Sequence, residues 1–61
     1  MDNELLEKWA EDRKKYISEC LTKIQEMLNE NDFSGVKCYA NFVEQAAIEA
    51  ATYKSMIEIF E

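Results

Sequence analysis

The sequence predicts an all-α protein, a two-helix antiparallel hairpin with helices over about 3–30 and 33–60. Three observations carry that expectation. Proline is absent and glycine occurs once, at Gly35, so nothing interrupts a long helix on either side. One cluster of turn-forming residues exists, Asn29-Glu30-Asn31-Asp32-Phe33-Ser34-Gly35. Its side chains compete for backbone hydrogen bonds and so favour caps and turns over helix interiors. Apolar residues on both sides of the cluster recur at alternating steps of three and four, the period of a helix stripe. A β architecture would need several turn signals rather than one.

The first helix is amphipathic in the ordinary way. Asp2 or Asn3 is placed to cap it, and Glu4 and Glu7 suit its positive end. Leu6, Ala10, Ile17, Cys20, Ile24 and Met27 form one apolar stripe, which Leu5, Trp9, Tyr16, Leu21 and Leu28 widen. Glu4–Lys8, Glu11–Lys15 and Glu19–Lys23 stand four apart in the favourable order and mark the wet face. The helix is expected to stop near Asn29 or Glu30. Asp32, or alternatively Ser34, would cap the second helix, with Phe33 closing the end of the bundle beneath the turn.

The second helix carries more apolar surface than one neighbour can cover. Val36, Tyr39, Val43, Ala46, Ala50, Tyr53, Ile57 and Phe60 step three and four without a miss, as in a coiled-coil seam. Ala40, Phe42, Ala47, Ile48, Ala51, Met56 and Ile59 lie beside or away from that seam, leaving the polar residues a narrow arc. A helix apolar over most of its circumference belongs inside a bundle. The hairpin is therefore expected to complete a four-helix bundle as a homodimer, the favoured state, or a higher oligomer. The expected interface is Val36, Tyr39, Ala40, Val43, Ala46, Ala47, Ala50, Tyr53, Ile57 and Phe60, with the alanines allowing close approach of helix axes.

Composition agrees with such a module. A chain of 61 residues has a poor ratio of buried to exposed surface and usually needs disulfides, a metal or oligomerisation. A hydrophobic fraction of 48% argues against disorder, and no apolar run is long enough to span a bilayer. Met1-Asp2-Asn3-Glu4 lacks the layout of a signal peptide, so the expected location is cytoplasmic. The net charge of −6 disfavours nucleic acid and anionic membrane as partners. The basic cluster Arg13-Lys14-Lys15 follows Glu11-Asp12 directly and reads as a solvated face.

No catalytic, cofactor-binding or metal-ligating set emerges, and no enzymatic activity is expected. Histidine is absent, which removes the ordinary zinc site, the Cys–His pair and the Glu-x-x-His element of di-metal bundles. If the turn is centred near Phe33, residues pair when their numbers sum to roughly 66, which puts Cys20 and Cys38 about 12 Å apart along the axis. That is too far for a disulfide, so both thiols are expected free, acting as small buried hydrophobes. Arg13 is the one charge at a seam position of the first helix. It aligns near Tyr53 and within reach of Glu49. Either its stem packs while its head stays wet, or Arg13 and Glu49 form a partly buried pair that fixes register. Trp9 could stack on Arg13, anchor a partner, or pack at the open end of the bundle. Trp9 and Lys37 are the candidate partner or ligand contacts.

Asp32, Phe33, Tyr39, Ala40 and Ala46 give an acidic turn, an aromatic, then a tyrosine and a small residue opening an alanine-rich helix. In this the chain resembles small helical-hairpin proteins of tailed bacteriophages, over about a quarter of its length. The small glycine often found there near position 41 or 42 is replaced by Asn41 and Phe42. The resemblance implies a phage or prophage origin. In length and architecture the chain also resembles Rop, a plasmid RNA-binding hairpin dimer, although Rop's basic face has no clear equivalent. Three functions follow as expectations. The leading one is a self-associating, non-enzymatic interaction module, which in a phage could inhibit a host protein. The others are a structural part of a virion or other assembly, and an oligomeric sponge holding a nucleotide-like ligand. In the last case Tyr39, Tyr53 or Trp9 would stack a base and Lys37, Arg13 or Lys54 would meet a phosphate.

Overall fold

The architecture, a computed structural model, is described for residues 3–60, without the side chain of Phe60. Two helices, α1 (Glu4–Asn29) and α2 (Phe33–Phe60), pack along their lengths as a hairpin. The capping expectation for Asp2 and the interface expectation for Phe60 lie outside the described residues. At the start of α1, Asn3 stands in the N-cap position but its side chain makes no capping hydrogen bond. Its Oδ1 is buried without a hydrogen-bond partner. No helix among the described residues is long and apolar enough to cross a membrane.

The connection between the helices is only Glu30, Asn31 and Asp32, and the amide of each donates a hydrogen bond. The Asn31 amide donates to the Leu28 carbonyl at 3.1 Å and the Asp32 amide to the Met27 carbonyl at 2.8 Å. These are the two bonds of a Schellman ending, which needs a left-handed residue between them. Asn31 supplies it with φ of 60°, a conformation that asparagine tolerates better than most residues. Asp32 then opens α2. Its carbonyl accepts from the Val36 amide at 3.0 Å and its Oδ1 accepts from the Gly35 amide at 3.0 Å. Asp32 is thus the cap expected of it. Gly35 leaves room for the capping side chain: a Cβ there would lie 2.5 Å from Asp32 Oδ2 and 2.7 Å from Met27 Sδ, so both side chains would have to shift.

Because the turn is centred on Asn31, the register differs from the expected one by a full helical turn. Trp9 pairs with Tyr53, and Arg13 with Glu49, so facing residues sum to 62. The expectation placed the turn at Phe33, but Phe33 is already the first residue of α2. It does not close the bundle end: it is 64% exposed. Cys38 now stands level with Ile24, about 6 Å along the axis from Cys20. Both thiols are free, yet only Cys20 is buried; Cys38 is exposed, contrary to expectation, because it falls off the stripe that faces α1.

Leu6, Cys20 and Ala46 form the buried apolar core among the described residues. Ala10, Ile17, Ile24 and Met27 of α1, and Val36, Tyr39, Val43, Ala50, Tyr53 and Ile57 of α2, are half-buried along the same contact. Ala46 is 1% exposed, which places the closest approach of the helices at mid-hairpin. The molecule measures 47 × 14 × 10 Å. Its surface of 4754 Å² exceeds the roughly 4,100 Å² that a compact monomer of this mass exposes.

The turn chemistry makes specific demands. Asp32→Ala is expected to lower stability by about 1 kcal/mol, and Asp32→Asn by much less. Asn31→Val should cost about 1–2 kcal/mol while Asn31→Gly costs nothing, since only the former resists the left-handed conformation. Urea unfolding at a fixed protein concentration measures all four.

Candidate association face

The two long flanks of the hairpin differ in chemistry, and helical periodicity sets the difference. On α1, Leu5, Trp9, Arg13 and Tyr16 follow at steps of four, four and three and so share a flank; on α2, Tyr39, Phe42, Glu49, Tyr53 and Met56 share one at steps of three, seven, four and three. Packing of the helices brings these flanks together. Near the open end a groove of about 310 Å³ is bordered by Trp9, Asp12, Arg13, Glu49 and Tyr53. Toward the turn, a second recess of about 270 Å³ is bordered by Tyr16, Glu19, Cys20, Lys23, Tyr39 and Phe42. The opposite flank is charged where the first is aromatic, with Glu7, Glu11, Lys14 and Lys54 standing around Ala10, Ala50 and Ile57.

Aromatic contacts tie the first flank into one surface. The rings of Trp9 and Tyr53 lie 5.7 Å apart at 50°, and those of Tyr39 and Phe42 lie 5.3 Å apart edge to face. Such pairs favour these tilted arrangements because of the ring quadrupole. The Arg13 guanidinium lies 5.1 Å from the centre of the Tyr16 ring, a cation–π contact. It was Trp9 that the sequence suggested for this stack. Trp9 instead pairs across the hairpin with Tyr53, which the one-turn change of register makes its neighbour. Leu5, Trp9, Tyr16, Phe42 and Met56 all remain exposed on this flank.

Arg13 and Glu49 meet at the middle of the face. Arg13 Nη1 lies 3.9 Å from Glu49 Oε1, and the two side chains are 34% and 39% exposed. At that distance and exposure the pair is worth little by itself. The other ion pair near this flank joins Lys23 to Glu26 at 3.6 Å, and both side chains are well exposed.

The stripe Val36, Tyr39, Val43, Ala46, Ala50, Tyr53 and Ile57 faces α1, which covers Ala46 fully and the rest in part. Ala40 and Ala47 are exposed beside it. Lys37 is exposed and borders neither groove, so the cations named for a phosphate are not brought together: Arg13 lines one flank and Lys54 the other. Arg13 also shares its groove with two carboxylates, Asp12 and Glu49. Among the described residues, no cluster of three or more His, Cys, Asp or Glu stands close enough to hold a metal ion. Tyr16, Phe42 and Met56 were missed as members of one face. Their signal was present in the step from Leu5 to Trp9 to Tyr16, which is a second stripe beside the seam.

A hydrogen bond to the buried Cys20 thiol is the main reason the Tyr16 phenol titrates above the usual tyrosine value, with desolvation adding to it and nearby Arg13 opposing it. The folded state thus holds the proton more tightly than the unfolded chain. This contribution is present below the unfolded pKa of about 10 and is lost as pH rises through the folded value. Spectrophotometric titration should show a late tyrosinate step that Tyr16→Phe abolishes, with less destabilisation of the variant above pH of about 10. Comparison of the chain with protein-family models, with curated proteins and with solved structures found no match.

Proposed function

We propose that this protein is a small, non-enzymatic protein–protein interaction module that self-associates to complete a four-helix bundle. The observation that carries the reading is the exposure of large apolar side chains. Leu5, Trp9, Leu21, Leu28, Phe42 and Met56 are all open to solvent beside a core of Leu6, Cys20 and Ala46. An isolated two-helix chain with so small a core is marginal, since burial of apolar area must outweigh the entropy of ordering the chain. The surface excess of about 600 Å² over a compact monomer approaches the roughly 800 Å² per partner of a standard interface. A second hairpin laid along the first would cover it. The interface would then draw on both helices, with the edges of the α2 stripe, the aromatic residues and the α1 flank contributing together.

This reading favours a protein partner over a nucleotide-like ligand because the one cation in the aromatic groove, Arg13, stands between Asp12 and Glu49. A phosphate there would meet carboxylates on both sides. If the chain is of phage origin, as the resemblance to phage hairpins implies, a role in inhibiting a host protein would use the assembled bundle as its scaffold.

Light scattering over a range of concentrations tests the proposal. The expected mass is about twice 7.2 kDa or a higher multiple, and a well-folded monomer at micromolar concentration would overturn it. Phe42→Glu, on the aromatic flank, should shift the protein toward monomer and lower its melting temperature. Ile48→Glu, an equally exposed apolar position away from both grooves, should leave the mass unchanged.

A further inference from the structure

The geometry points to one arrangement of that dimer: two copies meet through the aromatic flank with both turns at the same end, so that each Arg13 faces the Glu49 of the other copy. This inference rests on the self-association proposed above and adds the face, the orientation and the residues that set them.

Charge complementarity carries it. Arg13 and Glu49 lie level with each other on facing helices, in a flank that carries Trp9, Tyr53, Tyr16 and Phe42, with Asp12, Glu19 and Lys23 bordering the same grooves. Their own contact is long, at 3.9 Å, and each keeps about a third of its side chain exposed. A guanidinium has five donors and a carboxylate about four acceptor sites, so one long contact leaves most of both unused. Covering the flank with apolar surface would remove the water that meets their remaining donors and acceptors, which is costly unless the cover supplies polar partners. A cover that brings a second carboxylate to Arg13 and a cation to Glu49 at the same level replaces that water, and the cation also offsets Asp12, which lines the same groove.

A second copy does this in one orientation. Two hairpins can stack face to face about a two-fold axis parallel to the helices or about one perpendicular to them. The parallel axis keeps each level opposite itself and sets α1 against the other copy's α2. Arg13 then meets the partner's Glu49, Glu49 meets the partner's Arg13, and Trp9 meets the partner's Tyr53 one turn away. The layer becomes a closed ring of two cations and two anions, bounded by aromatic rings. The perpendicular axis through mid-hairpin sets α2 against the other copy's α2, end for end. The same axis sets α1 against the other copy's α1, so Arg13 lies opposite the partner's Cys20, beside its Glu19, while Glu49 lies opposite the partner's Phe42 and faces no cation at its own level. The aromatic residues are covered in either case; the charges are matched in the first.

The flank also runs along both helices. Its exposed Leu5, Trp9, Tyr16, Phe42 and Met56 run from the open end of the hairpin toward the turn, whereas the opposite flank carries Glu7, Glu11, Lys14 and Lys54 at the open end and leaves Leu21 and Leu28 exposed toward the turn.

Two measurements on the full chain test the arrangement. The first exchanges charges. Arg13→Glu and Glu49→Arg, each alone, put four like charges in the layer and should dissociate the protein. Mixed in equal amounts they should form a heterodimer at least about tenfold tighter than either self-association, since each cross-chain pair is again opposite in sign. The second is a spin-label distance from Glu30→Cys, in the turn and off the flank, with Cys38→Ser to remove the other exposed thiol. Turns at the same end give a label separation below about 30 Å, given helix spacings of 8–10 Å. Turns at opposite ends give a separation approaching the 47 Å length of the hairpin. A dimer with the long distance, or one whose charge variants do not pair on mixing, overturns this arrangement while leaving self-association standing. A folded monomer overturns both.

Discussion

Asp32 is where the hairpin is decided. Its amide closes the last turn of α1 on the Met27 carbonyl, and its carboxylate holds the Gly35 amide in the first turn of α2. One residue thus ends one helix and begins the next, which leaves no slack in the connection. Everything downstream inherits this register. Trp9 reaches Tyr53 rather than Arg13, Arg13 reaches Glu49, and Cys38 is carried out of the contact. A turn longer by two residues would move facing positions along the seam and part the aromatic and charged pairs from their present neighbours. Asn31 and Gly35 serve the same end, the first by accepting a left-handed backbone, the second by leaving room for the carboxylate and the Met27 sulfur.

Small residues at the centre and large ones at the margins then determine how much of the chain is covered. Cys20 and Ala46 let the helices approach closely and become fully buried, but they contribute little apolar area. The bulk sits at Trp9, Tyr16, Leu21, Leu28, Phe42 and Met56, which the single contact between two cylinders cannot reach. A hairpin is two helices thick in one direction and one helix thick in the other, so its side chains are covered from one side only. This is the physical origin of the association proposed for it. The same geometry makes the middle of the aromatic flank a demanding place for Arg13 and Glu49, which tolerate cover only when it brings matching charge.

Much of the fold was legible beforehand. The absence of proline, the single turn cluster and the three–four spacing gave the two helices to within a residue or so at each end. The Asp32 cap followed from residue type and position alone. Placement of the turn centre did not: Asn29 through Gly35 all favour turns, and which of them leaves the helical region depends on which carbonyls of α1 find donors. That uncertainty of two residues becomes four in the facing register. It explains why Arg13 was aligned with Tyr53, why Phe33 was assigned a buried position, and why Cys38 was expected to be covered.

Residue types and their spacing are enough to require two long helices, an α2 that is apolar nearly all round, and no chemistry that depends on histidine. These are properties of composition and spacing along one dimension. Which edges of the two helices lie side by side is a matter of packing, and from it follow the aromatic flank with its Arg13–Glu49 contact and, on the other side, a flank that is charged at the open end. That pairing depends on the hydrogen bonds of three turn residues, which set where α2 begins relative to α1; periodicity within either helix is indifferent to it.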